Sequence, residues 1–492
     1  MTDKHDLGLL IRGHTPIIKL DTHEENRALD LLNGVSRETF VPSFKWTVTE
    51  GLQRLDIDLE KQRDKSEPQD VLRYIKTSNL QAIYILLDFA PYLDDPINVR
   101  LVKEIAMKFD GDAGKLVLIS HQLELPPGLS RMAVSFQLKL PDHQLLEKLI
   151  QDEASLWQRQ NNTRIRSDRK TLGRLIQNLS GISFNDAKRL IRNAIVDDGA
   201  ITESDLPEVM QAKYRLLNRD EILAFEYETA HFSEVGGMSQ LKQWLMQRHA
   251  AFHNQQDLPA GLDRPKGILL LGVQGCGKSL AAKAVAGIWG IPLLRLDFGR
   301  LYDKYVGETE RNLRQALHTA EVMAPCVLWI DELEKGISSG NEDEGTSKRI
   351  QASLLTWMAE NRHAVFIVAT ANQIDRLPPE LIRKGRLDEI FFVDLPDQAT
   401  REQIFHIHLK KRDIDINKID ISSLARSAEN FSGSEIEQSV VSVCYASFAS
   451  QQKIDTETIL EEIRRTRPLS VVMAEQINQL RSWAMERTVP VD

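Results

Sequence analysis

Short apolar runs rich in Leu, Ile and Val recur along the chain, each stopped by turn residues or acids. They are Ile17–Leu20, Ala82–Asp88, Leu116–Ser120 and Val134–Leu138 in the first half, and Gly267–Leu271, Cys326–Asp331, Val365–Thr370 and Ile390–Val393 in the second. Runs of this length without polar alternation predict strands buried on both faces, as in a parallel sheet. Other stretches carry apolar residues at helical spacing. Leu280–Ile288 does so closely after Gly267–Leu271, and Leu172–Ala194 and Ile421–Phe448 do so around the turns Ser180-Gly181 and Ser432-Gly433. A short capped helix follows each of the last two, Thr202–Met210 and Thr456–Ile463. Each half therefore reads as an α/β layer followed by a helical bundle.

The halves also share sequence at an offset of about 250 residues, which points to an internal repeat. Leu125-Pro126-Pro127-Gly128-Leu129 answers Leu377-Pro378-Pro379-Glu380-Leu381, and Leu140-Pro141-Asp142 answers Leu395-Pro396-Asp397. The boundary between halves is expected in the charged stretch Asn218–Thr229, with smaller linkers at Glu60–Asp70 and Gln158–Lys170.

At 492 residues the chain exceeds one ordinary core, and about 100–200 residues per domain gives roughly three domains before the repeat is considered. Its 42% hydrophobic and 27% charged residues are those of a soluble globular protein. The 62 Lys and Arg against 71 Asp and Glu leave a net charge of −9, so no global charge draws it to nucleic acid or an anionic membrane. Neither a targeting signal nor a membrane span is expected. Cys276, Cys326 and Cys444 are far apart and without metal-type spacing, and the last two read as buried thiols of a reducing compartment.

The strongest chemical signal is Gly272-Val273-Gln274-Gly275-Cys276-Gly277-Lys278-Ser279, set between a buried strand and a helix beginning near Leu280. This is a phosphate loop in its required context. Its glycines let backbone N–H groups turn inward around phosphate, Lys278 brings a point charge, and Ser279 offers a hydroxyl to Mg2+. The run ending in Asp331-Glu332 places two carboxylates where ligands bind in such sheets. Asp331 is expected to hold magnesium through water and Glu332 to activate the attacking water. Asn372, after the next strand, can reach both terminal phosphate and water. Arg383 and Arg386 flank Gly385, where solvated charges at a helix end are the plainer explanation.

In this order the motifs of Phe232 to about Pro468 resemble the AAA+ ATPase module of protein-remodelling rings. The resemblance implies an α/β fold: a P-loop NTPase (AAA+) parallel-sheet domain with a helical lid, preceded by a degenerate AAA+-like α/β and helical module. It gives Asn372 the role of sensor one and makes Arg383 and Arg386 arginine fingers, worth roughly 10³–10⁵ in rate when supplied to a neighbour. It also implies that Val235 and Gly236 join the nucleotide site with Gly272–Leu280, and that Ser432-Gly433-Ser434-Glu435-Ile436 is a lid motif with Ser434 in place of the usual Ala. Lys304-Tyr305-Val306-Gly307-Glu308 is similar to the pore loop of these rings, where Tyr305 and Val306 would grip extended polypeptide. The acidic stretch 340–345 is either a second pore loop or solvated surface.

Arg12, Asp88-Phe89, the paired LPP and LPD motifs, Glu321–Asp331, Lys384–Pro396 and Pro468-Leu469-Ser470 extend the match over nearly the whole chain. They resemble the hypothetical chloroplast reading frame forty-six AAA family of cyanobacteria, algal plastids and other bacteria. The implied division is a degenerate α/β domain at 1–150, a lid-like helical domain at 151–225, a nucleotide-binding domain at 226–397, and a lid with C-terminal helices at 398–492.

The implied activity is ATP hydrolysis with ATP and Mg2+, in a ring, by resemblance a hexamer, that remodels an unidentified protein client. The other reading is a slow ATP-dependent switch or assembly adaptor. A bacterial cytoplasm or plastid stroma is the expected location. Two departures stand out. Cys276 sits at a helix start, which tends to lower a thiol pKa, so a redox-sensitive loop stands beside the plainer reading of an ordinary loop residue. In the first half the position of a phosphate loop holds Asp21-Thr22-His23-Glu24-Glu25-Asn26, whose acids would repel a triphosphate, and Asp88 is followed by Phe89 instead of Glu. The first half is therefore expected not to hydrolyse ATP, with Arg131 at the offset of Arg383.

Overall fold

A computed structural model describes residues 3–56, 65–109, 114–121, 123–163, 165–196, 199–217, 222–226, 234–253, 258–259, 261–302, 309–337, 344–374, 377–382, 385–450 and 453–492. They fall into two compact units, Met1–Leu149 with Ile182–Arg189, and Ile150–Gly181 with Leu190–Asp492. No described helix is long and apolar enough to cross a membrane.

The first unit is built on six strands, β1 (Ile17–Asp21), β2 (Ser43–Thr47), β3 (Gly51–Arg54), β4 (Ile83–Leu87), β5 (Lys115–Ser120) and β6 (Ala133–Phe136), in the order β3-β2-β4-β5-β1-β6. All neighbours are parallel except the β2–β3 hairpin. Helices cover both faces, which is why β4 and β5 are buried at every residue. Val71 and Ile75 of the helix Pro68–Thr77 and Ile105 of Pro96–Phe109 pack with Trp46, Tyr84 and Phe89 on one side. Leu7 of Asp3–Arg12 and Leu32 of Glu25–Thr39 pack with Ile18, Ile85 and Val117 on the other.

In the second unit the two-residue strands β7 (Arg166–Ser167) and β8 (Ala200–Ile201) pair beside the helices Arg169–Leu179 and Asp205–Leu217. The main sheet follows, with β9 (Leu223–Glu226), β10 (Gly267–Gly272), β11 (Leu293–Leu296), β12 (Cys326–Ile330), β13 (Val365–Ala371), β14 (Glu389–Val393) and β15 (Val489–Pro490) in the order β15-β14-β10-β13-β12-β11-β9. Only β9 is antiparallel to its neighbour. The helices Ser239–His253 and Lys278–Trp289 bury Leu241, Leu245, Ala282 and Val285 on one face, and Thr309–Val322 and Glu344–Glu360 bury Leu313, Leu317, Ile350 and Leu354 on the other. A helical lid of Gln398–Lys410, Ile421–Ser427, Gly433–Ser450 and Thr456–Arg465 closes around Phe405, Leu424, Ile436 and Ile459.

The repeat read from the sequence is present as shared strand order. β6-β1-β5-β4-β2 of the first unit runs as β14-β10-β13-β12-β11 of the second, and LPP motifs precede β6 and β14 alike. The outermost strand differs in origin: β3 turns back from β2, whereas β9 arrives from upstream.

Two expected linkers contain structure. The helix His143–Asn161 runs into the stretch Gln158–Lys170, which also contributes β7. The charged segment around 218–229 holds β9, a strand that the division at 225/226 would split. Four residues are too few to show a period, and what makes them a strand is pairing with β11 and ion pairs from Glu226 to Lys283 and Arg295.

Lys213 is fully buried, and its ammonium donates to the carbonyls of Asn178 at 2.9 Å, Ser180 at 2.6 Å and Val322 at 2.6 Å. It thereby ties the end of the helix Arg169–Leu179 to the end of Thr309–Val322. Burial pulls its pKa down to about 8. Between pH 8 and the ordinary lysine value the unfolded chain binds more protons than the folded one, so this residue makes stability rise with pH across that window. Lys213→Met is expected to leave three carbonyls without their donor and cost at least about 1–3 kcal/mol in urea unfolding, since an unsatisfied buried polar group is that expensive. The variant is also expected to lose the alkaline increment.

Candidate functional site

Strand β10 lies so close to its neighbours that a Cβ on Gly272 would stand 2.0 Å from the Val393 carbonyl oxygen. The chain then turns through Gly275, at φ 80°, and Gly277, at φ 88°, into the helix Lys278–Trp289. Gly275 has a second reason to lack a side chain. Its Cβ would meet Ser434 Oγ at 2.3 Å, and its carbonyl accepts from the Ser434 N–H at 3.0 Å, so the lid touches the loop there. Ser432 and Glu435 brace this lid turn, with Glu435 Oε2 accepting from the Ser432 N–H and hydroxyl, both at 2.8 Å. Lys278 is buried and folded back, donating to the carbonyls of Gly272 and Val273 at 2.8 Å each. Burial lowers its pKa to about 8.

The ends of β12 and β13 bring in the acids. Asp331 Oδ1 accepts from the Thr370 hydroxyl at 2.6 Å, and the Glu332 N–H donates to the same hydroxyl at 3.0 Å. Glu332 has a left-handed backbone, φ 47°, a conformation uncommon for such a residue and frequent at functional sites. Its carboxylate accepts from Lys335 Nζ at 2.5 Å and from Asn372 Nδ2 at 3.4 Å. Asn372 is itself held by its N–H donating to buried Glu334 at 2.9 Å. Thr370, Glu334 and Lys335 were not singled out in the sequence. Their signals are weak: a hydroxyl closing an apolar strand, and a charged pair soon after Asp331-Glu332.

These groups share one cavity of about 650 Å³, lined by Val235, Gly236, Gln274, Gly275, Cys276, Gly277, Lys278, Ser279, Leu280, Asp331, Glu332 and Asn372. Gly272 and Val273 supply the carbonyls beneath Lys278 and do not line it. The lid adds Ile404, His408, Gly433, Ser434 and Glu437. Burial holds the His408 pKa below its ordinary value, against the pull of Glu437. Among the described residues no three His, Cys, Asp or Glu side chains cluster as a self-contained metal site. Ser279 and Asp331 fit a magnesium that takes most of its oxygens from phosphates and water. Arg386 lies apart, its guanidinium donating to the Glu380 carbonyl at 2.5 Å. Arg383, Tyr305 and Val306 lie outside the described residues, as do 340–343 of the acidic stretch.

At the corresponding place in the first unit, the helix Glu25–Thr39 starts three residues after β1 with no glycine turn. The acids there are not simply repulsive. Glu24 is buried, paired to Arg27 at 2.8 Å, and accepts from the Asn185 N–H at 3.0 Å in the first turn of Phe184–Val196. Arg27 also pairs with buried Asp3 at 2.8 Å. Asp88 keeps one contact of the second unit in faint form, the Ser120 hydroxyl 3.5 Å away, but the left-handed residue is Asp88 itself, φ 50°, one position earlier than at Glu332, and Phe89 is buried in the core.

Cys276 corrects an expectation. Burial outweighs the nearby Lys278 charge and the helix start, and pushes its thiol up to about 12, so it is protonated at neutral pH. Cys326 is buried as expected, whereas Cys444 is only half-buried. Iodoacetamide at pH 8 is therefore expected to label Cys444 in the native protein and Cys276 only after unfolding, as read by mass spectrometry. Equal native labelling of Cys276 would contradict this.

The profile of the ATPase family associated with various cellular activities (AAA) matches residues 268–395. Those of the SpoVK-like AAA ATPase N-terminal domain and second domain match 3–138 and 144–220. The chain is 34% identical over 490 residues to the uncharacterized AAA domain-containing protein ycf46 of Pyropia yezoensis, covering 98% of both chains. It is 34% identical over 485 residues to its counterpart in Guillardia theta, covering 97% of this chain and 94% of that one. Similarity to the ATPase family gene 2 protein homolog A of Homo sapiens is 34% over 272 residues, 53% of this chain and 30% of that protein. Matched end to end, with both sheets and the phosphate loop in place, the chain belongs to the ycf46-like AAA ATPase family.

Proposed function

We propose that this protein is a magnesium-dependent ATPase whose second half binds and hydrolyses ATP and whose first half is a non-hydrolysing module that organises a ring or holds a partner. The observation that supports this best is the convergence of Lys278, Asp331, Glu332 and Asn372, from three elements, on one cavity. In this reading Lys278 exchanges two backbone carbonyls for the terminal phosphates, and the N–H groups of 274–279 cradle the rest. Ser279, and Asp331 through water, would hold magnesium, which when bound would supply charge neutralisation at the phosphates. Glu332 takes the proton of the attacking water, which requires Lys335 to release it, and Asn372 orients that water.

Arg383 and Arg386 complete the site of a neighbouring subunit in a ring, for which six members is the proposed number, and Arg386 must then leave the Glu380 carbonyl. Tyr305 and Val306 engage an extended segment of a protein client, and no nucleic acid or membrane span takes part. The chain is proposed to divide at 1–150, 151–225, 226–397 and 398–492, with β9 and β15 added to the third part, and to work in a bacterial cytoplasm or a plastid stroma. The alternative, a slow ATP-dependent switch or assembly adaptor, is favoured if Tyr305→Ala leaves client-dependent activity intact.

Glu332→Gln is expected to bind ATP as tightly as the parent while turnover falls by about 10²-fold or more, the usual share of a positioned base. Phosphate release together with fluorescent-nucleotide titration checks both halves of that statement. Undiminished turnover would remove Glu332 from its role.

A further inference from the structure

The cavity has a wall that none of the nucleotide motifs supplies. After the helix Ala474–Ala484 the chain returns as β15, parallel to β14 in the register Phe391 with Val489 and Phe392 with Pro490. Pro490, Val491 and Asp492 then line the cavity beside Val235, Gly236 and Met238. The Val491 N–H donates to the Phe392 carbonyl at 3.3 Å, and the Val491 carbonyl accepts from the N–H groups of Gln240 at 2.9 Å and Leu241 at 3.3 Å. Val491 is buried with Val235, Met238 and Leu241 in the core below.

Asp492 continues the contact on the polar side. Its Oδ1 accepts from the Ser239 N–H at 2.8 Å and from the Ser239 hydroxyl at 3.2 Å, and its carbonyl accepts from Gln240 Nε2 at 3.0 Å. The carboxylate thus caps the helix Ser239–His253 from a distant part of the chain, at the end that favours negative charge. That helix start is the outer end of the turn 234–238, whose residues form the apolar lip of the cavity. The turn has two further anchors, the Val235 carbonyl accepting from Lys242 Nζ at 2.8 Å and the Gly237 N–H donating to Gln403 Oε1 of the lid at 2.9 Å. A Cβ on Gly237 would stand 2.7 Å from Asp492 Oδ2, so lip and strap are in direct contact.

We propose that the segment Val489–Asp492 is part of the nucleotide site, with Asp492 a positioning residue that sets the lip receiving the nucleoside end of ATP. This rests on the cavity being the nucleotide site. Asp492 touches no reacting atom, so its loss weakens nucleotide binding and leaves the chemical step alone. Asp492→Ala is expected to raise the KM for ATP and the Kd for a fluorescent ADP analogue by about fivefold, equivalent to about 1 kcal/mol at tenfold per 1.4 kcal/mol, with kcat within about twofold. Asp492→Asn keeps an acceptor oxygen for Ser239 and is expected to restore most of the affinity.

The measurement uses the full-length chain, with Lys278→Ala alongside and a thermal-melt control for folding. A folded Asp492→Ala protein with parental KM and Kd overturns the proposal, as does a loss in kcat equal to the loss in kcat/KM. An Asn variant as weak as the Ala variant also overturns it. If Lys278→Ala binds nucleotide like the parent, the reading of the cavity itself fails, which is a separate result.

Discussion

A parallel strand that hands over to a helix leaves unpaired N–H groups and partial positive charge at the turn, and that place favours an anion. Much of this molecule follows from how each half treats that place. In the second half the turn is widened by Gly275 and Gly277, and Lys278 waits on two backbone carbonyls that it can exchange for phosphate. In the first half the turn is short and without glycine, and the Glu24 side chain makes no capping hydrogen bond to the helix Glu25–Thr39 that follows it. Glu24 is buried against Arg27 and joined to the start of the helix Phe184–Val196. The same topology thus presents a glycine turn with a buried lysine in one half and a turn whose glutamate is committed to Arg27 and Asn185 in the other.

The remaining polar groups of the second site are arranged for exchange as well. Glu332 is tied to Lys335, a pair exposed enough to contribute little to stability and to break readily. Asp331 and Glu332 share the Thr370 hydroxyl, so β13 fixes both the Asp331 carboxylate and the left-handed turn at Glu332. The lid touches the loop through Ser434 and Gly275, and the strap at Val489–Asp492 braces the opposite lip.

The strands β1, β4, β5, β6, β10, β12, β13 and β14 were legible because buried parallel strands leave continuous apolar runs, while β2, β3 and β11 went unread, and Gly272–Ser279, Asp331-Glu332 and Asn372 were legible because phosphate chemistry restricts residue types and order. What was missed depends on distant partners. β9 and β15 are four and two residues long and exist by pairing with β11 and β14. Thr370 and Asp492 have roles only once other elements are placed beside them, whereas Lys335 pairs with Glu332 only three residues back. The Cys276 thiol was misjudged because a helix start is visible in sequence and burial under the lid is not. Glu24 reads as a repelling charge until Arg27 and Asn185 are seen to hold it.

The claim on which the rest depends is that only the second half presents an open anion site. It is tested most directly by the stoichiometry of ATP binding to the full-length chain, measured by equilibrium dialysis with labelled nucleotide under non-hydrolysing conditions. One nucleotide per chain is expected in the parent and none in Lys278→Ala. Two per chain, or one that survives Lys278→Ala, would contradict it.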